Sequence, residues 1–193
     1  MGRRQDIVEA AQTLFAERGY HHTSMQDLGD ALGMQRGSLY AHIGSKDELL
    51  VEIVARAAHE FVLGMEQIVG QAESAPKRLR AALRHHIRVV TDSLPASAVF
   101  LFEWRHLPPH ERLDVARQRD HYEGLWRRLL IEGVAEGAWS VPDPALTATF
   151  LLSIGNWTAQ WYRPDGRLTG EQVADQIYQL AMDGISRRQE VAR

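Results

Sequence analysis

The sequence predicts an all-α protein of about nine helices: a small amino-terminal three-helix domain with a helix-turn-helix, then a larger helical bundle. Three observations carry that prediction. Apolar residues recur at three- and four-residue spacings along the whole chain, as helices with one buried face require. Prolines and glycines punctuate these runs, and no segment alternates as a half-buried strand does. In the stretch from Thr23 to Glu48, TSMQDLGDALGMQRGSLYAHIGSKDE, two short helical patterns meet at a glycine.

Arg3 to Arg18 reads as a helix with Ile7, Ala10, Ala11, Leu14 and Phe15 on one stripe, ended by Gly19. Thr23 is expected to cap the next helix, with Gln26 three residues on completing a capping box. Met25, Leu28 and Leu32 form its buried face. Gly33 suits the tight turn that follows because glycine tolerates positive φ. A second short helix then runs from Gln35 to about Ile43. Leu39 and Ile43 lie on its inner side, and Gln35, Arg36, Ser38, Tyr40 and His42 on its outer side. Gly44 closes it, and Ser45 to Glu48 reads as another capping box.

Two short helices joined by a glycine turn, the second polar outside, describe a helix-turn-helix whose second helix fits a major groove. No acidic residue stands between Asp30 and Asp47, where Arg36, His42 and Lys46 lie. Carboxylates there would repel phosphates. Gln35, Arg36 and Ser38 are the expected residues at or near base edges, and Gly37 between them is counted with the DNA-binding residues. Tyr40, His42, Lys46 and the helix end at Thr23 are the expected phosphate holders. On spacing alone, a helical hairpin with a solvated face fits as well.

Lys46 to about Val69 reads as a long helix buried through Leu49, Leu50, Ile53, Val54, Ala57, Phe61, Met65 and Ile68. Gly70 to Pro76 is a break. Pro76 opens a helix to about Leu94 with Leu79, Ala82, Leu83, His86 and Val90 inward, and Arg80, Arg84 and Arg88 in a row at spacings of four. Pro95 opens a helix from Ala96 to about Leu107, and Pro108-Pro109 forces a turn. The next helix, His110 to Ala135, is expected to bury Leu113, Ala116, Tyr122, Leu125, Trp126, Leu129 and Val134.

The helix from Pro144 to about Tyr162 is apolar nearly all round, so it must be covered on more than one side. Its small residues Ala148, Gly155 and Ala159 leave room for close helix approach. Thr169 caps the final helix with Gln172, and that helix buries Val173, Ile177, Leu180, Ala181, Gly184 and Ile185. Spare apolar surface on the last two helices predicts a homodimer built on them as a four-helix bundle. The expected division is a DNA-binding domain over residues 1–45 and a ligand-binding and dimerisation domain over 46–193.

Composition narrows the function. The net charge of -3 argues against a broad polyanion-binding surface, so DNA contact must come from a local patch. There is no cysteine, hence no disulfide, thiolate nucleophile or cysteine metal site. The start leads into an amphipathic helix rather than an apolar signal region, and no apolar run is long enough to span a membrane, so a cytoplasmic protein is expected. His85 and His86 are adjacent and point about 100° apart on a helix, a poor ligand pair. His106 and His110 are separated by two prolines. No catalytic or metal-binding set emerges, and neither an enzyme nor a cofactor is expected. All five tryptophans lie beyond residue 100. Trp126, Trp157 and Trp161, with Asn156 inside an apolar helix, fit an aromatic pocket for a small molecule, although each fits a plain core too.

The amino-terminal motifs resemble the TetR family of transcriptional regulators. The matching residues are Leu14 to Tyr20, Thr23 to Leu28, Ala31-Leu32-Gly33, Gly37 to His42 and Ser45 to Leu50. Ala41 and Ile43 depart from the family pattern, where aromatics are usual. The resemblance implies a dimeric regulator that binds a double-stranded DNA operator and a small-molecule effector. Phe102 to Leu107, with Gly155-Asn156-Trp157 and Trp161 to Gly166, resembles the subgroup that controls fatty-acid degradation and is released from DNA by acyl-CoA thioesters. That resemblance implies an apolar tunnel, with Phe102 and Trp104 among its contacts, and a basic mouth drawn from Arg80, Arg84, Arg88 and Arg105. An unrelated aromatic or drug-like effector, or an enzyme using the same cavity, is the alternative.

Overall fold

The computed structural model describes residues 2–186, whose regular elements are all helices, without a strand. The side chains of Ile185 and Ser186 lie outside the described residues, and so does the end of the expected second domain. In chain order the helices are α1 (Arg3–Arg18), α2 (Met25–Leu32), α3 (Arg36–Tyr40), α4 (Lys46–Val69), α5 (Ala75–Asp92), α6 (Leu94–Ala98), α7 (Pro109–Ala135), α8 (Pro144–Trp161) and α9 (Gly170–Ser186). Between α6 and α7 the chain forms a π-helical turn, Val99–Glu103, and a 3₁₀ turn, Trp104–His106. The single α-helix expected over 96–107 is therefore corrected: it changes geometry twice.

The chain divides into two compact units. One takes the residues up to 59 together with 93–118, the other 60–92 with the chain from 119 onward. Both α4 and α7 begin in the first and end in the second.

In the first unit Ile7, Val8, Ala11, Leu14 and Phe15 of α1 are buried with Leu28 of α2, Leu39 of α3 and Leu49, Leu50, Ile53 and Val54 of α4. Each of those helices contributes one apolar stripe, and burying it is what stabilises elements as short as α2 and α3. Gly33 adopts φ 62°, the left-handed conformation expected of it. Gly29 is needed for another reason: a Cβ there would sit 2.9 Å from the Met34 carbonyl oxygen.

In the second unit α5 packs against α8 and α9. His86 lies so close to Gly155 of α8 that a Cβ on that glycine would fall 2.6 Å from the ring. The small residue permits the approach, as read from the sequence. Arg78, buried at the start of α5, donates to Glu132 at 2.5 Å and Glu136 at 2.8 Å on α7. Glu136 also accepts from the Ala75 N–H at 2.7 Å and so caps α5. On α7 the expected burial fails at Leu113 and Val134, which are exposed, while Val115 and Leu130 are buried instead. On α9 Leu180 is 65 % exposed, against the expectation for this chain alone.

Candidate nucleic-acid interface and effector residues

The caps of the helix-turn-helix set its geometry. Ser24, not Thr23, is the N-cap of α2, and its partner is Asp27 rather than Gln26. The Asp27 N–H donates to Ser24 Oγ at 3.1 Å and the Ser24 N–H returns to Asp27 Oδ2 at 2.7 Å. The hydrogen bonds to Ser24, from its hydroxyl and N–H, and the nearby Arg18 hold the Asp27 carboxyl below its ordinary pKa. Thr23 is 1 % exposed, and its hydroxyl lies 3.2 Å and 3.0 Å from the carbonyls of Leu14 and Gly19. Its side chain is spent inside the fold, which removes Thr23 from the phosphate surface.

α3 is shorter than expected, five residues capped by Gln35, because the chain turns again at Ala41. Leu39 and Ile43 are buried and anchor it. Gln35, Arg36, Gly37, Ser38, Tyr40 and His42 are exposed together on the other side. The Arg36 guanidinium lies 5.6 Å from the centre of the Tyr40 ring, an arrangement that pre-orients both side chains. Their exposure, opposite the buried Leu39 and Ile43, is what the spacing led one to expect.

Lys46 is placed differently. Its ammonium donates to the backbone carbonyls of Tyr20 and Thr23, both at 2.8 Å, and sits over the Tyr20 ring. Two of its three donors are thus committed to the turn before α2, so its first task is internal. Around that turn are residues the sequence reading did not assign. The Tyr20 N–H donates to Glu103 Oε2 at 2.9 Å, and its hydroxyl donates to Asp47. His21 Nε2 and His106 Nδ1 share a hydrogen bond at 2.8 Å. Burial, then the hydrogen bond to the Asp47 carboxylate, raises the Tyr20 pKa well above its ordinary value. The motif from Phe102 to Leu107 contains Glu103 and His106, but it did not point to the turn before α2, since their partners are more than eighty residues away.

The effector candidates are divided between the two units. Phe102, Trp104 and Arg105 belong to the first unit, on the π and 3₁₀ turns. Arg105 is exposed and stands over the Trp104 ring at 5.6 Å. In the second unit Trp126 is core, 1 % exposed, within an aromatic cluster of Phe61, His86 and Tyr122. The Tyr122 hydroxyl and His86 Nδ1 are hydrogen-bonded at 3.0 Å. Burial, reinforced by neighbouring His85, drives the His86 pKa down to about 3, so its imidazole is neutral. Burial likewise pushes Tyr122 up. Asn156 is half-buried, whereas Trp157 and Trp161 are exposed on α8.

The arginine row is not an open basic mouth. Arg80 and Arg84 both grip Asp175 of α9 through two nitrogens each, at 2.7–3.0 Å, and Arg84 also meets Glu171 at 2.8 Å. The hydrogen bonds from Arg84 and Arg80 hold the Asp175 carboxyl well below the usual carboxylate range. Only Arg88 is loosely held, 3.4 Å from Asp92 and 3.3 Å from His85 Nδ1. Beside it is a cleft of about 350 Å³ lined by Arg84, Arg88, Thr91, Tyr162 and the carboxylates of Asp92 and Glu171. A row at helical spacing becomes a set of ion pairs because α9 supplies the acids, which periodicity cannot reveal.

No group of three or more metal-ligating side chains exists among the described residues, and no helix there is long and apolar enough to cross a membrane. A capped helix-turn-helix with a polar outer helix is the arrangement of a DNA-binding regulator. Residues 7–53 match the bacterial regulatory proteins of the tetR family, and residues 72–185 match the tetracyclin repressor-like C-terminal domain. The chain belongs to the TetR family: it is a DNA-binding transcriptional regulator rather than an enzyme.

Its similarity to known members extends over nearly its full length. The HTH-type transcriptional repressor KstR2 of Rhodococcus jostii is 32 % identical over 187 residues, 96 % of this chain and 92 % of that one. The ketosteroid transcriptional regulator KstR2 of Mycobacterium tuberculosis superposes with a TM-score of 0.89 at 26 % identity, over 97 % of this chain and 96 % of that one. AibR, in complex with isovaleryl coenzyme A and operator DNA, gives a TM-score of 0.80 at 31 % identity, over 93 % and 97 %.

Proposed function

We propose that the protein is a homodimeric repressor that binds a palindromic operator and is released by an acyl-CoA thioester. Residues 1–45 act as the DNA-binding part and the chain from 46 onward as the effector-binding and dimerisation part. α3 enters the major groove with Gln35, Arg36, Gly37 and Ser38 toward base edges, while Tyr40 and His42 reach phosphates. The observation that carries this reading is the exposed polar face of α3, pinned from behind by buried Leu39 and Ile43.

The dimer reading is supported by α8 and α9. Leu146, Phe150, Ile154, Trp157 and Trp161 are exposed on α8 and Leu180 on α9, a contiguous type of surface that monomers seldom leave in water. Pairing these helices with their copies covers both, and it sets two recognition helices for half-sites about one helical turn apart. Effector binding would then act through α4, whose two ends lie in different units, and alter the spacing of the recognition helices. The coupling between the two ligands must be reciprocal, on the order of 1–3 kcal/mol.

The thioester rests on the carboxy-terminal resemblance and on AibR, whose structure holds isovaleryl coenzyme A. One observation favours a second reading, an uncharged apolar effector without a CoA moiety. Arg80 and Arg84 are already neutralised by Asp175, which leaves fewer free cations for CoA phosphates. Fluorescence anisotropy of a duplex from upstream of the protein's own gene, challenged with acyl-CoAs, the matching free acids and steroid ketones, separates the two. Release by thioesters alone establishes the first, and release by ketones alone the second.

A further inference from the structure

Glu103 and His106 lie outside the helix-turn-helix, yet both hold the turn that directly precedes α2. We infer that Glu103 and His106, delivered by the π-helical and 3₁₀ turns, are positioning residues for DNA binding that hold the Tyr20–Thr23 turn in register. The inference rests on the DNA-binding reading above.

The turn is clamped on both edges of one residue. The Tyr20 N–H donates to Glu103 Oε2 at 2.9 Å, and the Tyr20 carbonyl accepts from Lys46 at 2.8 Å. Lys46 holds the Thr23 carbonyl as well, directly before the α2 cap at Ser24. His21 Nε2 meets His106 Nδ1 at 2.8 Å, and the His106 ring stacks on Tyr20 with centroids 6.0 Å apart and planes 15° off parallel. These contacts to Tyr20, His21 and Thr23 leave the turn little freedom.

Two further facts separate this from ordinary packing. Among the described residues, the segment that supplies Glu103 and His106 is the one place where α-geometry gives way to a π turn and then a 3₁₀ turn, and π turns are frequent at functional sites. Glu103 also carries a negative charge in a domain that must approach phosphates. Long-range Coulomb repulsion disfavours it there, so the carboxylate has to serve as an acceptor for the Tyr20 N–H.

Those two effects have opposite signs, which makes the test decisive. A duplex is first selected from a random library with the wild-type protein, and its affinity is measured by anisotropy across a salt series. Glu103→Ala is expected to weaken binding about tenfold or more, because a charge-assisted hydrogen bond is lost. Glu103→Gln, which keeps an acceptor oxygen, should stay much nearer wild type, and His106→Ala should lose affinity as well. The slope of log affinity against log salt should not change, since no phosphate contact is removed. Equal or tighter binding by Glu103→Ala, the outcome of simply deleting a negative charge, overturns the inference. If Glu103→Ala is unfolded at the assay temperature, His106→Phe decides: it keeps the ring but not the nitrogens, and full affinity overturns the inference. Failure of the wild-type protein to select any duplex removes the DNA-binding reading itself, and this inference with it.

Discussion

Lys46 and Tyr20 form a closed clamp: the ammonium stands 4.1 Å from the Tyr20 ring centre while donating to that residue's own carbonyl. Replacing Lys46 by Ala leaves two carbonyls, those of Tyr20 and Thr23, without this donor. The expected cost is on the order of 1–3 kcal/mol of stability, read by urea unfolding. The salt slope of operator binding tells whether the lysine does more. An unchanged slope means a clamp only, and a slope reduced by about one means that its third donor also reaches a phosphate.

Arg36 is exposed at the first position of α3 and is paired with no acid among the described residues. Arg36→Ala should cost about 1–3 kcal/mol on the selected duplex and relax the preference at a single base pair. Binding measured on every single-base variant of that duplex checks it. A uniform loss over all variants would instead mark Arg36 as a phosphate contact.

The neutral, buried His86 makes stability depend on pH. Its folded pKa, about 3, lies below the value of about 6.5 for an unfolded histidine. Between those values the unfolded chain binds a proton that the folded one refuses, so stability is intact above pH about 6.5 and falls as the medium is acidified. The expected loss is roughly 1 kcal/mol per pH unit in that window. His86→Gln should remove that component of the acid sensitivity, measured by denaturant unfolding at pH 7 and pH 5.

Gly155→Ala puts a methyl group 2.6 Å from the His86 ring, which is buried and cannot swing away. α8 must shift off α5, at about 1–3 kcal/mol. Gly184 meets nothing within 4 Å, so Gly184→Ala is the matched control and should be neutral or slightly stabilising in thermal melts.

Trp157 is 61 % exposed on α8. Trp157→Glu should leave the monomer's melting temperature nearly unchanged and abolish the dimer by sedimentation. Operator affinity would fall in parallel, because two half-sites would no longer be bound as a unit. A dimer that survives both Trp157→Glu and Phe150→Glu would show that α8 is not its interface.

Helix positions could be read from sequence wherever one face is buried. Leu49, Leu50, Ile53, Val54, Ala57, Phe61, Met65 and Ile68 of α4 are all inward, as their spacing requires. The capping box of Thr169 and Gln172 also forms, with bonds of 2.9 and 3.2 Å. What escaped reading is tertiary. Thr23 and Ser24 are equally good caps by chemistry, and Thr23 is drawn inward by carbonyls of α1 and its terminal turn. Arg80 and Arg84 find Asp175 more than ninety residues away. Leu113 and Val134 share a period with truly buried neighbours, and periodicity alone does not say which stripe of a long helix faces a partner. The π turn at Val99–Glu103 has no compositional mark at all.

The brevity of α3 limits what a single copy can know. Five helical residues span about 7 Å, the height of roughly two base-pair steps. A reader of two or three base pairs accepts about one site in sixteen to sixty-four, far too many in a genome of millions. Joining two readers at a fixed distance multiplies those odds instead of adding them. For a helix this short, selectivity is therefore a property of the pair, and the spacing between copies carries as much information as the side chains do.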